Sequence, residues 1–375
     1  MMYCEVNKLK CLSNLSRLNY PADLVFDIAR LYAFKGKDFY YEDILKSELD
    51  SRIKNTIEKD TIYAAKLLKL DITDSRLKLI VKNDSEPKEK DGKRDEFVAA
   101  NLKNVFRIIQ QKGTNLNIDD NEFLHLAVKV FENFKDVRYQ KTVVEVQENL
   151  LKEKKFISKR DVMAECMKLY KKSSTDLKIE PTQVIVNTYI DLLHEECFDY
   201  ENEFLSLMIM YCLLVSERFN VFKYVSFFEQ YTLMYQEFAS ATVAAGFNWE
   251  HSFSQTELLT RTLMKLMLEG YQRVDDIVQE KVFDKGLRKI DEVQGIIIHF
   301  DSDTFTRADI KKAAPYLSDS TINRALEKLK EDDKIESMGT GRSAKWVKKN
   351  TTEVINSRSK QMTIFSLLDD ENAQK

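Results

Sequence analysis

Histidine beside a carboxylate is the commonest side-chain means of moving protons near neutral pH. The chain offers that pairing twice, at His194-Glu195-Glu196 and at Glu250-His251. A third histidine, His125, lies among Phe123, Leu124, Ala127 and Val128. A solvated helix end accounts for the first two, and packing beside an apolar face accounts for His125. No Walker loop, Ser-His-Asp arrangement or metal-spaced cluster accompanies them. The cysteines, Cys4, Cys11, Cys166, Cys197 and Cys212, are five in number, widely spaced and without a Cys-x-x-Cys pair, which fits reduced thiols better than disulfides or zinc. The residues alone therefore nominate no catalytic group, no cofactor site and no metal site.

The elements around these residues are helical. The 375 residues include only 9 Gly and 4 Pro, and long Lys/Glu/Leu-rich runs leave few places for turns. With 43% hydrophobic and 32% charged residues the chain has material for two or three domains with sizeable cores. The net charge of −3 supplies no global field for nucleic acid, so any DNA contact must be local. The start, Met-Met-Tyr-Cys-Glu-Val-Asn-Lys, has no apolar signal core, and a cytoplasmic location is expected with no membrane partner. Richness in Lys, Asn and Ile hints at an AT-rich bacterial or phage genome.

Several helices can be placed from their punctuation. Pro21 opens one with Leu24, Val25, Ile28, Leu31 and Tyr32 on a stripe ending at Gly36. Tyr40 to Leu70 continues in charge-rich helices with Ile53, Ile57, Ala64, Leu67 and Leu68 inside. Residues 82–96 are almost wholly polar and read as a linker between an N-terminal helical region, 1–81, and a larger helical domain, 97–290. In that domain Phe97 to Gln111 is amphipathic, Asp119 or Asp120 caps the next helix, Ser158 caps another, and Pro181 opens the one after. Ser254 with Glu257 has capping-box spacing before a long helix through Leu259, Leu263, Leu266, Tyr271, Val274 and Val278.

Glu203 to Glu280 carries the most distinctive pattern. Phe204 to Val215 has no charge and is apolar on every face, which marks a central buried helix too short to span a bilayer. Lys223-Tyr-Val-Ser226 follows, then a helix with Tyr231, Tyr235 and Phe238, then Asn248-Trp-Glu250, then the amphipathic helix past Gly270-Tyr271. This order resembles the second half of a Fic domain, in particular the Fic proteins that carry a winged helix behind it. The resemblance implies a helical body and, in the family, transfer of a nucleotide group, usually AMP, to a protein hydroxyl. Its signature, His-Pro-Phe-x-Asp/Glu-Gly-Asn-Gly-Arg, belongs just before or at the start of the buried helix. Here Asp199-Tyr-Glu-Asn-Glu-Phe-Leu-Ser206 stands in that place, with no histidine for a base, no acidic residue placed for a metal and no glycine pair for phosphates. The family's inhibitory Ser/Thr-x-x-x-Glu helix has a loose counterpart in Asp74-Ser-Arg-Leu-Lys-Leu79, with Lys78 where the glutamate would be.

From Asp291 to Lys349 the pattern changes to helix, helix, turn, helix and a glycine-tipped hairpin, which resembles a winged helix-turn-helix. By that analogy Ser320, Thr321, Asn323 and Arg324 would face a major groove, and Arg342 and Lys345 of the wing would meet phosphate. The module is neutral, with 11 basic and 11 acidic residues, but 342–360 holds six basic residues against one acid. In the tail, 350–375, Gln361-Met-Thr-Ile-Phe365 and Leu368 resemble the bacterial sliding-clamp-binding peptide, with Gln361, Ile364, Phe365 and Leu368 as the partner-binding residues; folding back onto the body is the alternative.

The reading is thus a mainly α protein, a Fic-like helical body followed by a winged helix at 291–349. Its expected role is non-catalytic, with DNA bound by the winged helix and a protein such as the sliding clamp bound by the tail. The alternative is a divergent Fic-type nucleotidyl or phosphoryl transferase using His194 or Glu203 as base. Pairing into a homo-oligomer is a further implication by analogy.

Overall fold

The computed structural model describes residues 9–17, 21–82, 94–148, 151–176, 179–286, 289–300, 302–339 and 344–349. The chain divides into two compact units, Met1–Gln279 and Glu280–Lys375.

The first unit begins with a 3-10 turn, Leu12–Arg17. Four helices follow: α1 (Ala22–Lys35), α2 (Asp38–Leu45), α3 (Leu49–Leu67) and α4 (Asp74–Lys82). Then come α5 (Arg94–Lys112), α6 (Asp120–Val130) and an antiparallel hairpin of β1 (Lys141–Glu148) and β2 (Leu151–Ser158). The helices α7 (Lys159–Thr175), α8 (Pro181–Glu195), α9 (Asn202–Ser216), α10 (Phe227–Leu233), α11 (Tyr235–Gly246) and α12 (Glu257–Gly286), whose last turns run past Gln279, complete it. One hydrophobic core runs from Leu9 to Val278, so the N-terminal helices pack with the rest of the body around shared apolar residues. Helix α9 lies at its centre, with Phe204 through Leu214 all buried. Its aromatic neighbourhood is dense: Tyr211 packs on Phe106, Phe222, Phe227 and Phe228 with ring centroids 5.4–6.1 Å apart.

Several sequence expectations change at this level. Helix α5 starts at Arg94, inside the stretch expected to be a polar linker, and residues 83–93 lie outside the described residues. Glu96 is buried there because Arg76 of α4 holds both its carboxylate oxygens, at 3.0 and 2.7 Å. Val25 is exposed rather than part of the packed stripe, and His125 is exposed rather than half-buried. The Ser254–Glu257 capping box does not form: Ser254 Oγ is buried beside the Cys11 thiol and makes no hydrogen bond to Glu257. Asp119 and Ser158 cap as expected, through Glu122 N and Arg160 N.

The second unit holds α13 (Lys289–Ile298), β3 (Thr304–Thr306), α14 (Arg307–Ala313), α15 (Asp319–Glu331), β4 (Ile335–Met338) and β5 (Lys345–Lys348). The strands form an antiparallel sheet in the order β3-β5-β4. This is the winged-helix pattern, with β3 as a third strand beyond the two read from sequence. Thr306 and Asp309 form a complete capping box on α14, and Ser318 caps α15 through Thr321 N. Val293, Ile297, Ile310, Ile322, Leu326, Leu329 and Ile335 make its separate core.

Candidate functional site

The six residues between α8 and α9 fold as a loop bounded by two left-handed residues, Glu196 (φ 46°) and Glu201 (φ 46°). A side chain there costs on the order of 1 kcal/mol relative to glycine, so the surrounding contacts must impose the shape. They come from the segment leading into β1. Gln140 donates its backbone N–H to Cys197 O (2.9 Å) and its side-chain Nε2 to Phe198 O (3.1 Å). Asp199 N donates to Arg138 O (3.0 Å), and Arg138 N returns a bond to Asp199 Oδ1 (2.9 Å). The rings of Tyr139 and Phe198 stack at 5.2 Å, and Lys159 forms a buried ion pair with Glu195 at 2.6 Å.

Phe198 N donates to Asn202 Oδ1 at 3.2 Å, while Asn202 Nδ2 reaches back to the final carbonyls of α8. Two loop amides, those of Phe198 and Asp199, are thereby consumed within the protein. An anion-binding loop needs such amides pointing outward. The α9 N-terminus that follows carries two exposed carboxylates, Glu201 and Glu203, instead of space for phosphate. Desolvation and then Glu203 hold the Glu201 carboxyl above its ordinary range. Tyr200 closes the loop's other flank against Phe131 (5.0 Å), with Lys135 Nζ 4.1 Å from its ring centre.

The two sequence candidates for a displaced base are differently placed. His194 is stacked flat on Trp249, with ring centroids 4.9 Å apart, and Gly246 fits so closely that a Cβ there would come within 2.4 Å of His194 Nε2. Desolvation lowers its pKa, opposed by Glu250 and Glu196. Trp249 in turn donates to Asp191 Oδ1 at 2.8 Å, a buried carboxylate that also receives the N–H groups of Cys11 and Leu12 at 2.9 Å. His194 thus joins a structural junction of α8, the 249 turn and the N-terminal segment. Glu203 is exposed in the first turn of α9, and His251 is exposed on the 3-10 turn Trp249–His251. Among the described residues no group of three or more His, Cys, Asp or Glu could hold a metal, and no helix is long and apolar enough to cross a membrane.

In the winged helix, Ile322, Ala325, Leu326 and Leu329 turn inward, which leaves Ser320, Arg324, Glu327, Lys328 and Glu331 exposed on α15. Thr321 is half-buried with its hydroxyl 2.8 Å from Ser318 Oγ. Asn323, expected to face a groove, keeps its Oδ1 buried without a partner among the described residues. Lys345 is exposed on β5. Two wing-base lysines are committed: Lys348 Nζ caps the carbonyls of Ile298 and Phe300, and Lys349 pairs with Asp333 at 2.7 Å. Arg342 and the tail residues Gln361, Ile364, Phe365 and Leu368 lie outside the described residues. Sequence reading missed the β1–β2 hairpin that follows the anchoring residues Arg138, Tyr139 and Gln140; the β-branched run Thr142-Val143-Val144 with Val146 was its signal.

No protein-family model matches the chain, and no curated protein matches it. Its fold is similar to that of a Fic family protein from Desulfovibrio desulfuricans G20, at 11% identity and a TM-score of 0.53, over 89% of this chain and 98% of that one. Two further structures match over 68% of this chain: Fic-1 from C. elegans, at 11% identity, 74% of that chain and a TM-score of 0.49, and a Fic domain containing signaling protein from Bacteroides thetaiotaomicron VPI-5482, at 10% identity, 98% of that chain and a TM-score of 0.48. The Fic-like fold of the body rests on the first of these.

Proposed function

We propose that this Fic-like body is non-catalytic and that the protein works as a DNA-associated regulatory factor, through its winged helix and a protein-binding tail. The observation that carries the first half is the α8–α9 loop. The Fic signature is missing from it, no histidine lies within it, two of its amides are spent on Arg138 and Asn202, and two carboxylates stand at the helix end where phosphate would need positive potential. His194, the candidate for a displaced base, lies at the end of α8 outside the loop, exposed and stacked on Trp249.

The exposed cations Arg324, Lys328 and Lys345 on one small unit support the DNA half of the reading. The exposed carboxylates Glu327 and Glu331 on the same helix limit binding to a defined contact rather than a broad basic field. The clamp-like peptide 361–368 is the proposed recruitment signal, by its sequence alone.

The test has two arms. Binding to generic duplex DNA is measured at two salt concentrations for the protein and for a variant with Arg324→Ala and Lys345→Ala. Salt-sensitive binding that falls in the variant is expected, and no binding at low salt overturns the DNA half. Thermal shifts with ATP and other nucleotides form the second arm. No shift is expected, whereas a nucleotide at a hundred times its Kd would add about 2.7 kcal/mol and revive the transferase reading.

A further inference from the structure

Helix α15 carries carboxylates in the middle of its outward face. With Ile322, Ala325, Leu326 and Leu329 buried, helical periodicity centres the opposite side on Ser320, Glu327 and Glu331, with Arg324 and Lys328 beside them, and all five are exposed. The spacings Arg324 to Glu327 and Lys328 to Glu331 allow pairing along the helix surface, but no such ion pair forms among the described residues. The ion pairs of this unit engage Lys311, Lys334 and Lys349 with Asp319, Asp332, Asp333 and Glu336 instead. The hydrogen-bonding capacity of Arg324 and Glu327 is left for a group outside the unit.

A DNA duplex offers the two signs different things. Phosphates on the walls of the major groove repel a carboxylate, while the groove floor carries acceptors on guanine and amino donors on cytosine and adenine. A glutamate at the middle of an inserted face is therefore unfavourable at every sequence that does not set an amino group before it. Cytosine N4 suits a carboxylate, whereas adenine presents N6 beside the N7 acceptor and is matched by a carboxamide. Three residues of helix rise about 4.5 Å, against about 3.4 Å between base pairs, so Arg324 comes opposite a pair next to the one that Glu327 meets. A guanidinium there matches guanine O6 and N7.

We propose that α15 reads two neighbouring G·C pairs in the major groove, Arg324 donating to guanine and Glu327 accepting from cytosine N4, an inference that rests on the DNA binding proposed for this unit. Glu327 is then the residue that sets sequence preference, because its charge penalises every site lacking the amino group. Lys328, on the flank of the face, meets phosphate. Glu331 stands about 6 Å beyond Glu327 and holds the end of α15 away from the phosphates.

The experiment uses the full chain and a pool of short duplexes randomised at their centre. Bound duplexes are sequenced, and affinities are then titrated for a selected duplex and for one with the same ends and an A·T centre. Enrichment of adjacent G·C pairs is expected, with at least about tenfold weaker binding of the A·T duplex. Selection repeated with Glu327→Ala is expected to lose the preference at one of the two pairs and keep it at its neighbour, and Arg324→Ala is expected to do the reverse. Glu327→Ala is also expected to tighten the A·T duplex, since a charge that repels phosphate is gone, while the exposed position leaves the melting temperature unchanged. Salt-sensitive binding without enrichment, enrichment of A·T pairs, or a Glu327→Ala variant that keeps both preferences overturns the proposal and leaves DNA binding standing. Binding to no duplex at low salt overturns both.

Discussion

The N–H of Phe198 donates to Oδ1 of Asn202 across the α8–α9 loop, so the first residue of the central helix holds the turn that leads into it. Asn202→Ala removes this bond and two weaker ones to Leu192 and Leu193 carbonyls. The expected cost is about 1–3 kcal/mol, because a part-buried N–H is left unpaired. Urea unfolding followed by far-UV circular dichroism measures it, and a variant as stable as the parent would show that the loop is held from the β1 side alone.

Three buried carboxyls make the first unit less stable as pH rises. Desolvation pushes Asp60 up to about 7, and Asp191 and Asp38 up to about 6, against hydrogen bonds that lower them. A carboxyl with a folded pKa above its unfolded value gives stability that is fully present below the unfolded value and lost as pH rises through the folded one. Between pH 4 and 7 these groups therefore lower stability as pH rises, whereas a surface carboxylate such as Asp23, whose pKa Arg261 lowers, contributes stability that is lost only as pH falls below its unfolded value. Asp60→Asn keeps an acceptor for Ser226 Oγ and Phe228 N and is neutral throughout. Its stability relative to the parent is expected to improve progressively from pH 4 to 7, by a few kcal/mol in order of magnitude; a pH-independent difference would refute the assignment.

Phe228 has ring neighbours Phe106, Phe204, Tyr211 and Phe227 at 5.0–5.9 Å and no exposure. Phe228→Ala is expected to cost about 3–5 kcal/mol by cavity formation, read from the shift of the urea midpoint. Gly246→Ala should be costly for the opposite reason, since His194 must move off Trp249 to admit a methyl group. Quenching or a spectral shift of Trp249 fluorescence, in a Trp346→Phe background, would report that displacement.

The winged helix separates free from committed cations. Arg324→Ala is expected to weaken duplex binding by about 1–3 kcal/mol if its guanidinium reads a base, and Lys345→Ala to reduce the salt slope by about one. Lys349→Ala, whose ammonium is already bonded to Asp333, is expected to leave the DNA titration unchanged. A Lys349 variant as weak as the Arg324 variant would move the contact surface to the strand ends.

Legibility followed the range of the interactions. The uncharged run Phe204–Val215 announced a buried helix because each of its neighbours in the chain says the same thing, and Ser158 announced α7 because capping is local. Ser254 and Glu257 had the right spacing but no cap formed, and Glu96 looked solvated until Arg76 arrived from another helix. The loop was legible in what it lacks and illegible in how it is held. Nothing in one dimension says that Gln140 and Arg138 reach residues 58 and 61 positions later, or that two glutamates adopt left-handed backbone. Asn323 was chosen by its position in α15, and its orientation was settled by packing.

The anchoring of the α8–α9 loop also bears on how the loop can change. Placing a histidine in the loop by one substitution would leave Phe198 and Asp199 amides occupied, Glu201 and Glu203 repelling phosphate, and side chains at two left-handed positions. Each further change toward an anion cradle would, by itself, loosen the turn without yet creating a nucleotide site. Single substitutions toward a phosphate-binding loop therefore cost stability before they give any nucleotide site, and several would have to be made together.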